Sequence, residues 1–199
     1  MLKITNLLLV ALLFLTAFSC KKESVKSEDR QDSSVTEAKR NEMTSDSINS
    51  VSATEKTVSY STFKGAWFDI EYPSTFKAEN SLKSYTNSEG FDSAVFTSPD
   101  GKVQFYVFSP QWSGEPTDIK VVEGERIKET SEEKKNGLFV KRWTVEANDG
   151  SYRRSYEETS ENVSHTNKVF GVKYATEADL EKYREEYLHF KNSLIQYAD

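Results

Sequence analysis

This chain of 199 residues has a single cysteine and no excess of basic residues, and each shortage excludes a class of protein. One cysteine, Cys20, allows neither a disulfide within the chain nor a cage of cysteine ligands around a metal. The chain has 26 basic and 32 acidic residues, and both signs are mixed along it. Because no basic stripe is available to neutralise phosphates, a nucleic-acid partner is not expected.

In the first twenty residues, a short apolar run follows one basic residue. Lys3 precedes the run at residues 7–17, which is too short to cross a bilayer as a permanent helix but fits the apolar part of an export signal. The run ends in Ala17-Phe18-Ser19-Cys20, which resembles the lipobox of bacterial lipoproteins. A strongly polar segment follows at once, which argues against a buried core helix. Residues 1–19 are therefore predicted to be a lipoprotein signal peptide.

The resemblance to a lipobox implies that Cys20 becomes the lipid-modified N-terminus of the mature protein. Each buried methylene of an acyl chain contributes about 0.8 kcal/mol, so several chains anchor the protein stably to a membrane. Lys21 follows the cysteine. By resemblance to the sorting rule of enteric bacteria, aspartate at this position retains a lipoprotein in the inner membrane, whereas lysine indicates the outer membrane.

Glycine, proline and aromatic residues are missing from residues 21–56, where small polar and charged residues dominate. Such a segment buries too little apolar surface to offset the entropy of ordering it. Residues 20–56 are therefore predicted to be the lipidated cysteine and a disordered tether with a reach of about 35 Å. The tripeptides around Ser47 and Ser93 resemble an O-glycosylation acceptor of Bacteroidetes-type bacteria, although chance explains so short a pattern better.

Residues 57–199 hold every aromatic residue outside the signal and are predicted to form a single domain. Asn136-Gly137 is a good signal for a tight hairpin turn, and so is Asp100-Gly101. The second strand of the hairpin around Asp100 is apolar on both faces, which predicts a central strand covered on both sides. Strands are predicted over residues 58–63, 67–72, 93–98, 102–109, 125–134, 138–147, 151–160 and 166–175.

The chain is predicted to end in one amphipathic helix. Thr176 and Asp179 have the spacing of a capping box, which marks its first turn. Apolar residues then recur every three or four positions, and this stripe predicts packing against the sheet rather than a partner-binding face. The stripe contains Leu180, Tyr183, Tyr187, Phe190, Leu194 and Tyr197. The predicted fold class is therefore α+β, an antiparallel sheet of hairpins and a meander packed by a C-terminal helix.

The stretch Trp67-Phe68-Asp69-Ile70-Glu71-Tyr72-Pro73-Ser74-Thr75-Phe76 resembles the opening of the PsbP/Mog1-like fold, in which a strand ends in Tyr-Pro before an aromatic residue. A hairpin of the type at Thr97 to Ser109, and a terminal helix ending like Phe190 to Leu194, match that family in outline. Its members include photosystem accessory proteins, a Ran-binding protein and many exported bacterial lipoproteins. The resemblance implies a binding or assembly factor rather than an enzyme.

No catalytic or metal-binding residues are predicted, and no cofactor is expected. His189 lies four residues after Glu185 on the predicted helix, but a metal site needs at least one more convergent ligand, and His165 lies in a predicted turn. No Gly-x-Ser-x-Gly elbow accompanies a candidate nucleophile. Glu157 and Glu158 are strand neighbours and point to opposite faces, which is wrong for paired acid and base. Arg153-Arg154 is predicted to be an exposed cross-strand charge pairing.

Trp112 is the candidate binding residue. It lies in the segment Pro110 to Pro116, where two prolines and a glycine predict a surface loop. Either it contacts a partner or it folds back as a lid over the core, and the sequence leaves both open. Two functions remain: a non-enzymatic binding or assembly module, monomeric and with an envelope protein as partner, or an envelope hydrolase with an unrecognised active site.

Overall fold

The computed structural model describes residues 57–161 and 165–197, and in this part of the chain it contains ten strands and two short helices. The elements in chain order are β1 (Tyr60–Lys64), β2 (Phe68–Pro73), β3 (Lys77–Asn80), β4 (Ser93–Thr97), β5 (Val103–Phe108), β6 (Glu125–Lys135), β7 (Leu138–Ala147), β8 (Arg153–Glu161), β9 (Asn167–Tyr174), α1 (Glu177–Lys182), α2 (Arg184–Asn192) and β10 (Ile195–Gln196). The predicted signal peptide and tether lie outside the described residues.

Seven strands form one antiparallel sheet in the order β3-β4-β5-β9-β8-β7-β6. The last four strands of this sheet are consecutive in the chain, so the predicted meander is confirmed. Its first turn has positive φ at Asn136 (52°) and Gly137 (81°), as a tight hairpin turn of this type requires. A second sheet has the order β1-β2-β10. The predicted α+β class with a mainly antiparallel sheet is therefore confirmed.

The main core lies on the face of the seven-stranded sheet that α2 covers, here called the helix face. Phe96, Phe105 and Val172 are cross-strand partners on this face. The ring of Phe190 from α2 lies 5.2 Å from that of Phe96 and 5.3 Å from that of Phe105, centroid to centroid. Phe68 of the smaller sheet belongs to the same buried cluster. Burying each such side chain contributes about 1.5–3 kcal/mol, so this cluster fixes the helix on the sheet.

A second core lies on the opposite face, here called the loop face. Tyr106 and Phe108 of β5 point to it, together with Tyr156 and Val169 from β8 and β9. Ile119, from the long connection between β5 and β6, is buried in the same cluster. Strand β5 thus carries apolar side chains on both faces and lies between β4 and β9, as predicted for a central strand.

The loop face is packed closely because β9 has glycine at one central position. Gly171 is paired with Tyr106 on one side and with Tyr156 on the other. A Cβ atom at position 171 would lie 2.5 Å from Cδ1 of Tyr156 and 3.2 Å from Cβ of Tyr106. The absence of a side chain there is what lets the Tyr156 ring lie across β9.

The predicted single helix is wrong in one respect, because it is divided at Tyr183. This residue has φ −116° and ψ 18°, and it ends α1 and precedes α2. The predicted cap is confirmed: the Thr176 hydroxyl accepts a hydrogen bond from the Asp179 N–H at 3.1 Å. The apolar stripe packs on the core as predicted except at Tyr197, which lies beyond β10 and is exposed.

Two strands were not predicted from the sequence, and the edge strand β6 is exposed. Strand β3 has a single apolar residue, Ala78, and β10 is two residues long. Strand β6 is the edge of the sheet and is exposed on both faces over nearly all its length. Its charged side chains are typical of an edge strand that avoids pairing with other chains.

Candidate functional site

Residues 109–124, here called the crossing loop, run over the loop face from one end of the sheet to the other. The loop leaves β5 after Phe108, which pairs with Ser93, and enters β6 at Glu125, which pairs with Ala147 at the far end. Buried Ile119 anchors its centre. Loops of this length without secondary structure are uncommon in compact domains and are frequently functional.

The far half of the crossing loop is held by Arg154 of β8. Its guanidinium donates to the carbonyls of Ile119 at 2.9 Å and Lys120 at 2.8 Å, and to the Tyr156 hydroxyl at 2.9 Å. It also forms a bidentate ion pair with the Glu125 carboxylate, in which Nε of Arg154 donates to Oε1 at 2.9 Å and Nη2 donates to Oε2. Every N–H group of the guanidinium is used in this way, so Arg154 is a structural clamp.

The prediction of an exposed charge pairing is right for Arg153 and wrong for Arg154. Arg153 pairs across the strands with Glu146 at 3.0 Å. Arg154 is buried, because the crossing loop covers it. Burial alone would raise the pKa of Glu125, but hydrogen bonds from Arg154, the Val122 N–H and Tyr152 outweigh it and lower the pKa to about 2.

Asp118 holds the middle of the crossing loop. Its carboxylate accepts hydrogen bonds from the Tyr106 hydroxyl at 2.7 Å, the Ser93 hydroxyl at 2.8 Å and the Ser81 hydroxyl at 2.5 Å. Burial, followed by the negative charge of Asp118, raises the pKa of Tyr106. A cavity of about 260 Å³ lies between loop and sheet here, but its charged and hydroxyl groups largely pair with one another.

Trp112 lies in the near half of the loop, whose backbone is fixed by a different residue. The Asn167 side chain accepts from the Gly114 N–H at 3.1 Å and donates to the Gly114 carbonyl at 2.7 Å. Trp112 itself is 47% exposed, and Tyr85, from the loop between β3 and β4, is 89% exposed. Both line a cavity of about 110 Å³, here called the Trp112 cleft, together with Leu82, Asp92, Phe108 and Glu115.

Asp92 is the residue of the Trp112 cleft that sequence reasoning missed. Its N–H donates to the Leu82 carbonyl and its carbonyl accepts from the Ser109 N–H, both at 2.8 Å, so its backbone is fixed on both sides. The side chain is buried, and its Oδ1 is the one buried side-chain polar atom without a hydrogen-bond partner in residues 57–161 and 165–197. Burial raises the pKa of Asp92 against the opposing hydrogen bonds from Ser84 and the Tyr85 N–H.

A larger groove of about 400 Å³ lies on the helix face beside α2, but Arg142, Glu157 and Lys191 in its lining are already paired. Glu157 accepts hydrogen bonds from Lys191 and from Arg142, each at 2.7 Å. The hydroxyls of Thr144 and Ser155 lie 3.0 Å apart and bond to each other. Because these groups satisfy one another, the groove offers a ligand less than the Trp112 cleft does.

The two histidines lie apart from these cavities. Nε2 of His189 lies 2.7 Å from Oε2 of Glu71 on β2, and its ring stacks on Tyr60 at 3.8 Å between centroids. Its acidic partner is thus Glu71 rather than the Glu185 suggested by helical spacing. His165 has a positive φ of 53°, in keeping with the predicted turn. Within the described part of the chain, no three His, Cys, Asp or Glu residues are grouped as metal ligands.

The remaining sequence predictions concern modification and the membrane. Cys20 and Ser47 lie outside the described residues. Ser93 is fully buried at the start of β4, and its hydroxyl also accepts from the Leu82 N–H at 2.7 Å, so in the folded domain it is closed to glycosylation. No helix in residues 57–161 and 165–197 is long and apolar enough to cross a membrane.

Comparison with known proteins finds structural neighbours that include the following two. One is the cyanobacterial PsbP protein, CyanoP, of Synechocystis sp. PCC 6803, with a TM-score of 0.44 at 8% identity over 72% of this chain and 96% of that one. The other is the Ran-binding protein Mog1p of Saccharomyces cerevisiae, with a TM-score of 0.38 at 7% identity over 71% and 97%. These are the two kinds of protein whose fold the sequence resembles. No family model and no curated protein matches the chain.

Proposed function

We propose that this chain is a lipid-anchored lipoprotein of the bacterial cell envelope, and that its folded domain is a non-enzymatic binding or assembly module. The Trp112 cleft is the surface through which it contacts an envelope protein. The observation that carries the binding role is the exposure of Trp112 on a backbone that Asn167 fixes in place.

This exposure favours a contact residue over a lid. A lid would lose most of its surface to the core, whereas about half of Trp112 is open to solvent. Tryptophan has few rotatable bonds, and the Gly114 backbone beside it is already ordered, so little entropy is lost when a partner covers it. Large aromatic side chains on fixed loops are frequent centres of binding energy.

The binding role is tested by comparing wild type with Trp112→Ala in the full, lipidated chain. The variant should keep the melting temperature almost unchanged and should lose retention of the envelope protein that wild type captures. Tyr197→Ala is the matched control, because Tyr197 has the same exposed fraction of 47% and lies outside the cleft. A loss of about 3 kcal/mol in stability for Trp112→Ala would identify a lid and contradict the proposal.

The anchor is proposed from the sequence at Ala17 to Cys20 and the polar segment behind it. Cys20→Ala should leave an uncleaved or soluble protein, since the acyl chains have no attachment point. Membrane fractionation with mass spectrometry of the N-terminus measures this. A variant that is still cleaved, acylated and membrane-bound would contradict the lipoprotein assignment. The outer membrane is the proposed location, because Lys21 follows the cysteine.

A further inference from the structure

The Trp112 cleft combines negative charge with an aromatic wall. Of the described residues that line it, Asp92 and Glu115 are acidic and none is basic. Tyr85 and Trp112 supply aromatic surface at its mouth, and Phe108 closes it toward the core. A cation placed against aromatic faces is attracted to them, and carboxylates add to that attraction. The cleft therefore favours a small cation over a neutral or anionic group.

Asp92 favours a cation that can donate a hydrogen bond. Asp92 is 4% exposed, and although its carboxylate accepts hydrogen bonds from Ser84 and the Tyr85 N–H, Oδ1 has no donor within the described chain. A buried carboxylate oxygen without a donor costs free energy, and such atoms are rare in folded proteins. The cost is removed if a ligand brings an N–H or O–H group to Oδ1. Asp92 lines the same cavity as Tyr85 and Trp112, so a ligand in the cleft lies next to this residue.

The size of the cleft limits what it can hold. A volume of about 110 Å³ is well below the several hundred Å³ of sites for drug-sized ligands. It is about four times the share of liquid volume of one water molecule, which suits an ammonium group and a few methylenes.

We propose that the Trp112 cleft binds a primary ammonium group, the tip of a lysine side chain on the partner protein, with Asp92 Oδ1 accepting an ammonium N–H and Trp112 supplying the aromatic surface. This rests on the proposed binding function and names the chemistry of the group recognised. A primary ammonium fits better than a quaternary one, which has no N–H to offer Asp92.

The proposal is tested in the full chain labelled with 5-fluorotryptophan. The three tryptophans, Trp67, Trp112 and Trp143, give three fluorine resonances, and Trp112→Phe identifies the one from the cleft. Titration with n-butylammonium chloride should move the Trp112 resonance and leave the other two in place. Sodium chloride at equal ionic strength controls for salt, butan-1-ol for the alkyl chain, and tetramethylammonium for charge without an N–H.

The expected result is that n-butylammonium binds at least tenfold more tightly than butan-1-ol or tetramethylammonium. Asp92→Asn should weaken its binding at least tenfold, while Asp149→Asn, a turn carboxylate at the far end of the sheet, should not change it. Equal response to the amine and the alcohol in wild type would overturn the proposal even if Asp92→Asn failed to fold. If the amine fails but the partner is still retained through Trp112, only this proposal falls and the binding function stands.

Discussion

The side-chain amide of Asn167 forms two hydrogen bonds with the backbone of Gly114. Its oxygen accepts from the Gly114 N–H at 3.1 Å, and its nitrogen donates to the Gly114 carbonyl at 2.7 Å. The two residues are 53 positions apart in the chain. Asn167 begins β9 and is itself buried, so a rigid strand sets the conformation of the loop that carries Trp112. The position of an exposed aromatic side chain thus depends on a buried amide.

Replacing this amide should free the loop. Asn167→Ala removes both hydrogen bonds and leaves the Gly114 N–H and carbonyl without them, which should cost about 1–3 kcal/mol of stability. Urea unfolding measures the cost, and hydrogen exchange at Gly114 should accelerate. Asn148→Ala, which removes an exposed contact to Arg126, should change stability by less than about 0.5 kcal/mol. Unchanged exchange in Asn167→Ala would show that the loop is held by other contacts.

The clamp between Glu125 and Arg154 should make part of the stability depend on pH. The pKa of Glu125 is lowered to about 2 from an ordinary 4.5, so its ionised form favours the folded state. The contribution of ionised Glu125 to the free energy of unfolding is complete above pH 4.5 and is lost as the pH falls toward 2. Glu125→Gln should therefore destabilise the domain most near neutral pH and least near pH 2, as measured by urea unfolding. A destabilisation that is constant over this range would contradict the account.

Asp92 should make the stability of the domain depend on pH in the opposite direction. Burial raises its pKa above the ordinary value of 3.8, so the folded state binds this proton more tightly than the unfolded state does. The ionised group then opposes folding, and its cost grows as the pH rises from 3.8 through the raised pKa. Asp92→Asn should be more stable relative to wild type at pH 7 than at pH 3. If the difference between them shrinks as the pH rises, the carboxylate has a donor that the structure does not contain.

Phe190 tests the main core. It is completely buried and its ring contacts those of Phe96, Phe105 and Phe170. Phe190→Ala should cost about 3–5 kcal/mol, because it removes a large side chain and leaves a cavity between α2 and the sheet. Leu188→Ala, at an exposed position of the same helix, is the control and should have a much smaller effect. Equal effects would mean that α2 is not packed on the sheet as described.

The sequence predicts most of the sheet, because its strands are marked by local signals. Asn136-Gly137 and Asp100-Gly101 form tight turns, and alternation of apolar residues marks the strands beside them. Strands β3 and β10 carry no such pattern. The division of the helix at Tyr183 also leaves no trace, since the apolar spacing continues through it.

The candidate site is less predictable, because long-range contacts create it. Arg153 and Arg154 look alike in the sequence, and only the return of the crossing loop buries the second. Asp92 stands between Phe91 and Ser93 in the sequence, and nothing local indicates that one oxygen of its carboxylate is buried without a donor. Trp112 could be found because a tryptophan among prolines and polar residues is visible in the sequence. Its partner residues in the cleft, such as Tyr85, come from a different loop.

Photocrosslinking in intact cells tests whether the domain binds an envelope protein through the Trp112 cleft. The lipidated chain is made with p-benzoylphenylalanine in place of Tyr85, an exposed residue of the cleft, so that Trp112 is kept, and in a matched chain in place of Tyr197, an exposed residue outside the cleft. The account predicts one discrete adduct with an envelope protein on irradiation of the first chain, and its absence from the second. No adduct at position 85, or the same adducts at both positions, would contradict it.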